Sequence, residues 1–570
     1  MAIDQITLDI LWSRLIATTN DQAAALMRSS FTSIVRDAAD LAAGVFDRRG
    51  RMIAQAVTGT PGHINSMATG MVHMLAKFPI DTLKPGDVLI TNDPWLTASQ
   101  LNDITVATPV FKNGRCIAVL ANCCHALDIG GRGLSADSRS VFEEGLYIPV
   151  MKLLDQGRKV EPLWELIEQN VRTPREVLGD IHCQIVGNEH GATQLLSFLD
   201  EFNLDDIEEL ADEIVNRSEA AMRERIHALP DGNYQYELVV DGFDTPLVLK
   251  AKLIVEGSNL TVDYAGSPGP VPLGVNVTLN YTAAYTNYGV KCAIAGDIPN
   301  NAGSFLPLTT VAPEGSLLNA KYPAAVGGRH LIGHFLPSVV MGALADALPD
   351  CVMAPGFDAL WDTHISGSDR NGRHFSYTWF SAGGTGAMSG KDGMSATAYP
   401  SGIAGVQVEV MESLAPLVIH ERSLRGDSGG PGEFRGGLGQ EMQIEVLTDE
   451  DYLISGLYER TRHPAPGLHG GSPGQTGTLG NSKGLDLKPK ISALLPSDTV
   501  TTLKLPGGGG FGEPWRRDAL AVLEDVIEGY VSPAQARDVY GVEIDECDWT
   551  VNTDATSKIR GALRAAALSR

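Results

Sequence analysis

Donors suited to holding a divalent cation or moving a proton cluster in the first quarter of the chain: Asp40, Asp93, Asp103, His125 and Asp128, with Gln100 three residues before Asp103. Hard oxygen donors joined by an imidazole are the usual set for Zn²⁺, Mn²⁺ or Fe²⁺. Their proximity depends on one hairpin. Lys112-Asn113-Gly114 is a turn signal because Asn and Gly tolerate positive φ. A two-residue turn there pairs Phe111 with Cys116 and, further along, Asp103 with Cys124, leaving His125 one step away. Strict alternation then puts Asp103 and His125 on opposite faces, so a shared site requires a bulge or splayed strand ends. The competing reading is solvated loop carboxylates and a hydrogen-bonded core histidine. The seven cysteines, at 116, 123, 124, 183, 292, 351 and 547, form no C-x-x-C pair, which argues against a structural zinc and for a reduced compartment.

Two louder strings carry less chemistry. Gly426-Asp427-Ser428-Gly429-Gly430-Pro431 matches the surroundings of the nucleophilic serine in trypsin-like proteases. That chemistry needs a histidine base with a buried Asp behind it, and the Ala-Ala-His-Cys context of such a base is missing. Tight backbone turning explains the glycines better. Gly507, Gly509 and Gly512 satisfy G-x-G-x-x-G between a strand and a helix. Pro506 and Pro514 bracket the loop, however, and a second helix follows where a dinucleotide site needs a second strand. No G-x-x-x-x-G-K-[ST] occurs, so neither motif supplies an ATP site.

These residues must be held by a large frame. Apolar positions at helical spacing in the first 30 residues predict a long opening helix. Strand-like runs follow at 41–46, 88–91, 104–111 and 116–121. A second long helix is predicted over 205–229, ending before Pro230-Asp231-Gly232, and an antiparallel meander over 236–240, 247–255 and 260–264. Short strands alternate with Gly-rich loops from 427 to 512. Helices close the chain, the second opened by the capping box Ser532-Pro533-Ala534-Gln535 and ended by Gly541. The expected fold is α+β: one interlocked body with mixed β-sheets, in regions 1–229, 230–426 and 427–570.

Composition narrows the partners. With 44 Lys+Arg against 69 Asp+Glu the 570-residue chain carries a net charge of −25, which repels phosphate backbones and excludes nucleic acid. No apolar run approaches the roughly 18 residues of a membrane span, and the N-terminus lacks the basic and apolar segments of a signal peptide. A cytoplasmic protein with no membrane partner is expected. The 62 Gly and 31 Pro require many turns and close backbone approaches.

Taken together, several strings identify a family. Arg36-Asp37-Ala38-Ala39-Asp40, Gly62-His63-Ile64-Asn65-Ser66-Met67, Thr91-Asn92-Asp93-Pro94 and His125-Ala126-Leu127-Asp128-Ile129-Gly130-Gly131 begin the series. Glu144-Gly145-Leu146-Tyr147-Ile148-Pro149, Asn170-Val171-Arg172-Thr173-Pro174, Pro313 through Asn319, 427–439 and 506–512 continue it. The chain resembles the B component of the hydantoinase/oxoprolinase family. That family includes the B components of ATP-dependent N-methylhydantoinase, the C-terminal half of 5-oxoprolinase, and subunits of acetone and acetophenone carboxylases.

The resemblance implies a hydantoinase B-type fold and a hetero-oligomer. An A-type ATPase partner would use ATP to phosphorylate the substrate's carbonyl oxygen, and the B-type chain would hold a divalent metal beside which a cyclic amide is hydrolysed or a ketone carboxylated. The implied ligands are Asp40, Asp103 and His125, with Gln100 where the family usually has His; a carboxamide oxygen is a much weaker ligand. His63 or Asp128 is the implied proton acceptor or orienting group, against a reading of His63 as a loop residue that shapes the pocket. The expected function is the B component of an ATP-dependent cyclic-amide hydrolase; the alternatives are a component of a ketone carboxylase and a metal-free scaffold.

Overall fold

The computed structural model describes residues 4–568. Its first unit is a seven-stranded antiparallel sheet in the order β2-β1-β5-β4-β3-β6-β7. The strands are β1 (Leu41–Phe46), β2 (Met52–Gln55), β3 (Val88–Thr91), β4 (Asp103–Lys112), β5 (Arg115–His125), β6 (Met151–Asp155) and β7 (Arg158–Lys159). Helices cover both faces. Leu8, Leu11 and Leu15 of helix Gln5–Ser29 pack on Val45, Val110 and Leu120, while Ile64, Met67 and Met71 of helix Pro61–Lys77 pack on Ala42, Phe46 and Ala121. Burial on both sides explains why these strands read as nearly continuous apolar runs.

A 28-residue helix, Pro174–Glu201, packs beside the opening helix, where the sequence pattern predicts none. Its buried face holds Gln184 and Asn188, whose amides donate to the carbonyls of Ile104 (2.8 Å) and Val106 (3.2 Å), so its apolar period is broken. The helix expected over 205–229 spans Glu208–His227.

The meander forms as expected: β8 (Gly232–Val240), β9 (Leu247–Glu256) and β10 (Asn259–Asp263), to which β11 (Leu308–Val311) adds in parallel. Helices Leu279–Ile294 and Leu336–Leu344 share its core. Two further four-stranded sheets enclose Trp361, Ile365, Ile444 and Leu503. One runs β13-β12-β16-β18, with β12 (Trp361–Ser368), β13 (His374–Ser381), β16 (Tyr452–Leu457) and β18 (Ala493–Leu495). The other runs β14-β15-β19-β17, with β14 (Leu417–Leu424), β15 (Gln440–Val446), β17 (Thr478–Asn481) and β19 (Val500–Lys504). Because β12 pairs with β16, hydrogen bonding crosses the expected boundary between residues 426 and 427.

The Gly-rich strings lie side by side against these sheets. Gly430 N–H donates to Gly508 O (2.8 Å), Gly508 N–H to Gly437 O (3.0 Å), Gly437 N–H to Thr385 O (2.9 Å) and Gly510 N–H to Ser472 O (3.0 Å). Backbone here fills the space that side chains fill elsewhere. At the tail, Ser532 Oγ caps helix Pro533–Asp538 by accepting from Gln535 N–H (3.2 Å). The other half of the expected capping box is replaced: Ser532 N–H donates to Asp427 Oδ1 (2.7 Å). A third tail helix, Thr553–Leu568, follows. No helix among the described residues is long and apolar enough to cross a membrane.

Candidate functional site

The hairpin settles the register question posed by the sequence. Near the turn Phe111 pairs with Cys116, but a bulge between Val110 and Phe111 shifts the ladder so that Val110 pairs with Ala118 and Asp103 pairs directly with His125. One extra residue therefore brings both side chains to the same face. His125 Nδ1 lies 2.9 Å from Asp103 Oδ1.

Three other elements close on this pair. Asp40, at the entry to β1, accepts from Thr60 Oγ1 (3.1 Å). His63 sits in the first turn of helix Pro61–Lys77 and is not a loop histidine. Its Nε2 is 3.2 Å from Asp103 Oδ2 and its Nδ1 is 3.5 Å from Asp40 Oδ1. Gln100 precedes β4, its Nε2 donating to Gly327 O (2.6 Å).

Four further residues of the cluster are not singled out by the sequence pattern. The Arg329 guanidinium is buried against Asp103 Oδ2 and lies 4.7 Å from the ring centre of Tyr281. His330 and His334, one helical turn apart, follow it, and Asp362 of β12 places Oδ2 3.3 Å from His330 Nε2. Arg329-His330 with His334 four residues on was the available signal, because i,i+4 histidines share a helix face.

Electrostatics divides the cluster into charged and neutral members. Burial alone would raise the pKa of Asp103, but Arg329 and His63 outweigh it and hold the carboxyl well below its ordinary range. Burial pulls His63 down, yet Asp103 and Asp40 raise it overall. His330 and His334 are driven well below the ordinary imidazole range by burial, then by neighbouring cations and imidazoles, and are neutral. Burial, reinforced by Asp40, pushes Asp362 well above the carboxylate range. Five buried polar atoms here have no hydrogen-bond partner: His63 Nδ1, Gln100 Oε1, His330 Nε2, His334 Nδ1 and Asp362 Oδ1. They surround a cavity of about 20 Å³, room for one water.

Asp128 is not brought to this cavity. Its carboxylate accepts from Gly130 N–H (3.1 Å) and from Arg172 Nη1 (2.6 Å), which anchors the glycine loop after β5. Asp93 likewise stays outside, accepting from Trp95 N–H (2.9 Å). Ser428 Oγ accepts from Gly439 N–H (2.9 Å) and donates to Arg425 O, with no imidazole bonded to it.

Asp40, Gln100, Asp103 and His125 do not fit a metal as they are arranged. Both oxygens of Asp103 are engaged by imidazoles and by the Arg329 guanidinium, and Gln100 turns its Nε2 to a backbone carbonyl. No group of three or more His, Cys, Asp or Glu among the described residues is placed to hold a metal ion. The positive charge facing Asp103 belongs to Arg329.

A hydantoinase B/oxoprolinase family model matches residues 4–514. A protein named as the B component of a D-/L-hydantoinase from Pseudomonas sp. (strain NS671) is 30% identical over 591 residues, covering 98% of both chains. The crystal structure of an ATP-dependent caprolactamase from Pseudomonas jessenii superposes with a TM-score of 0.88 at 27% identity, over 98% of this chain and 100% of that one. A nucleotide-free acetone carboxylase structure gives the same TM-score at 20% identity, over 100% of this chain and 84% of that one, and shows the shared fold.

Proposed function

This chain belongs to the hydantoinase B/oxoprolinase family, and on that premise we propose that it is the B-type component of an ATP-dependent hydrolase that opens a small cyclic amide. Its partner is an A-type ATPase that phosphorylates the amide carbonyl oxygen. The observation that carries this reading is the buried cluster of four imidazoles, three carboxyl groups and a guanidinium around one cavity. Groups of this kind cost folding energy when left unpaired, and they supply what acyl chemistry needs.

Hydrolysis of the activated amide requires stabilisation of developing negative charge and a base for water. Arg329 supplies positive charge held in place by Asp103, and His63 adds to it when it carries a proton. Neutral His330 or His334 accepts the proton of water as its oxygen bonds to the carbonyl carbon. When the ring C–N bond of that adduct breaks, the nitrogen takes a proton from the Asp362 carboxylic acid and an acyl phosphate remains; a second water then displaces phosphate from it and leaves the free carboxylate. Asp40 orients His63.

The test is reconstitution with the A-type partner, measuring ring-opened product and ATP consumption with hydantoin, 5-oxoproline or caprolactam. Asp103→Asn is expected to cut product formation at least about 100-fold. Full activity in that variant would favour a scaffold role, and bicarbonate-dependent consumption of acetone would favour a ketone carboxylase. An equivalent of Zn, Mn or Fe in the purified complex that disappears in Asp103→Ala and His125→Ala would overturn the assignment of the cationic role to Arg329.

A further inference from the structure

A 20 Å³ cavity admits water and no substrate ring. A second cavity, of about 370 Å³, lies directly behind it and is within the usual size range for small-molecule sites. Two short segments form the partition, and their residues alternate between the two spaces. Thr60 and His63 face the inner cavity while Gly59, Pro61, Ile64 and Asn65 face the outer one. Likewise Ser401 and Ile403 face inward, and Pro400 and Gly402 outward. A single backbone thickness separates the spaces. Along it Gly402, at φ +74°, faces Gly59: a Cβ built on Gly402 would meet only Gly59 O, at 3.8 Å.

The outer cavity has a definite chemistry. Lys291 Nζ donates to Ile298 O (2.9 Å), Asn300 Oδ1 (3.2 Å) and Ser304 Oγ (3.3 Å), which fixes the Asn300 carboxamide. Asn300 Nδ2 in turn donates to Gln55 Oε1 (2.6 Å) and Asn65 Oδ1 (2.9 Å). With its oxygen held, Gln55 has its Nε2 left without a partner among the described residues. None of the described lining residues is a carboxylate, so neither a neutral ring nor its phosphorylated form is repelled.

We infer that this outer cavity is an entry chamber that first captures the cyclic amide, its carbonyl oxygen accepting from Gln55 Nε2, on the far side of the Gly59/Gly402 segments from the groups that act on it. The inference deepens the hydrolase reading and rests on it. A five- to seven-membered lactam or hydantoin is the class that matches one oriented amide donor in a cavity with apolar walls at Ile64, Ile298 and Pro400.

Cys292 lines the same cavity and is one of three exposed cysteines, with Cys351 and Cys547. It is therefore a built-in reporter. The purified complex is treated with methyl methanethiosulfonate at pH 8.5, with and without 2-pyrrolidinone, hydantoin or caprolactam, and the three thiols are followed by mass spectrometry. Expected is at least fivefold protection of Cys292 by a cyclic amide, with Cys351 and Cys547 unaffected. Gln55→Leu is expected to remove that protection and to raise KM about tenfold at unchanged kcat. Turnover of a cyclic amide with no protection of Cys292 and no change of KM in Gln55→Leu overturns the chamber and leaves the hydrolase reading standing. Protection by acetone and by no cyclic amide overturns the ligand class together with that reading.

Discussion

The bundle around Gly508 and the cluster around Asp103 are both buried without an apolar filling, and they handle the polar groups they bury in opposite ways. In the bundle, backbone N–H and C=O groups of neighbouring segments pair with one another at 2.8–3.0 Å, and no space remains for a side chain. In the cluster, five side-chain atoms stay unpaired around a water-sized cavity. An unsatisfied buried polar atom costs roughly 1–3 kcal/mol, so five of them in one place set the cluster apart from the rest of the interior. The glycine-rich strings, which carried both false motif matches, are spent on the frame; the unpaired polar atoms gather around Asp103.

The difference can be broken most violently from the glycine side. A Cβ on Gly508 would lie 1.9 Å from Thr385 O and 2.3 Å from its carbonyl carbon, and backbone atoms cannot move aside. Gly508→Ala is expected to cost more than about 4 kcal/mol, seen as insoluble protein or a collapsed unfolding midpoint. Near-normal stability would mean the strings are not packed backbone to backbone. On the cluster side, Asp103→Ala strands the buried Arg329 guanidinium, at a cost of about 3–5 kcal/mol, and Asp103→Asn, which keeps the shape but removes the same charge, is expected to lose stability as well as turnover. Equal urea midpoints for Asp103→Ala and the parent chain would show that Asp103 is not what neutralises Arg329.

A smaller perturbation tests the strap that holds the cluster. Glu144 Oε1 accepts from Ser138 Oγ (2.9 Å), Val326 N–H (2.8 Å) and Gly327 N–H (2.7 Å), two residues before Arg329. Burial pushes its pKa from 4.5 up to about 7, against the pull of those hydrogen bonds. A carboxyl raised on folding contributes stability that is complete below the unfolded pKa and is lost as pH rises through the folded one. Relative to Glu144→Gln, the parent chain is therefore expected to lose up to about 1.4 kcal/mol per pH unit between about pH 4.5 and 7. Unfolding midpoints of the two chains that keep a constant offset from pH 5 to 7.5 would count against this.

How much of this was legible follows from what each element had to hide. Strands 41–46 and 88–91 were readable because sheets covered on both faces leave plain apolar runs, and the meander because its strands alternate. Helix Pro174–Glu201 was not, since Gln184 and Asn188 occupy its buried face. The pairing of Asp103 with His125 was readable only as a condition, that a bulge must exist, because no residue type announces one at Val110 and Phe111. Arg329, His330, His334 and Asp362 come from elements more than 200 residues after Asp103, and nothing local ties them to it. Asp128 looked equivalent to His125 in its motif, yet a three-residue offset past the strand end hands it to Arg172.

The mildest test concerns the serine that the sequence made most conspicuous. Ser428 lies inside the glycine bundle, fully buried, with Oγ bridging Gly439 N–H and Arg425 O. A nucleophilic serine would need an imidazole within reach and an approach for substrate; this hydroxyl has two backbone partners and no opening. Ser428→Ala leaves Gly439 N–H unpaired, which costs about 1–2 kcal/mol, and turnover of the reconstituted complex should stay at the parental level. A serine-directed fluorophosphonate should leave Ser428 unlabelled in the native protein. Loss of turnover at preserved stability, or labelling at Ser428, would move chemistry into the bundle and erase the contrast with the Asp103 cluster.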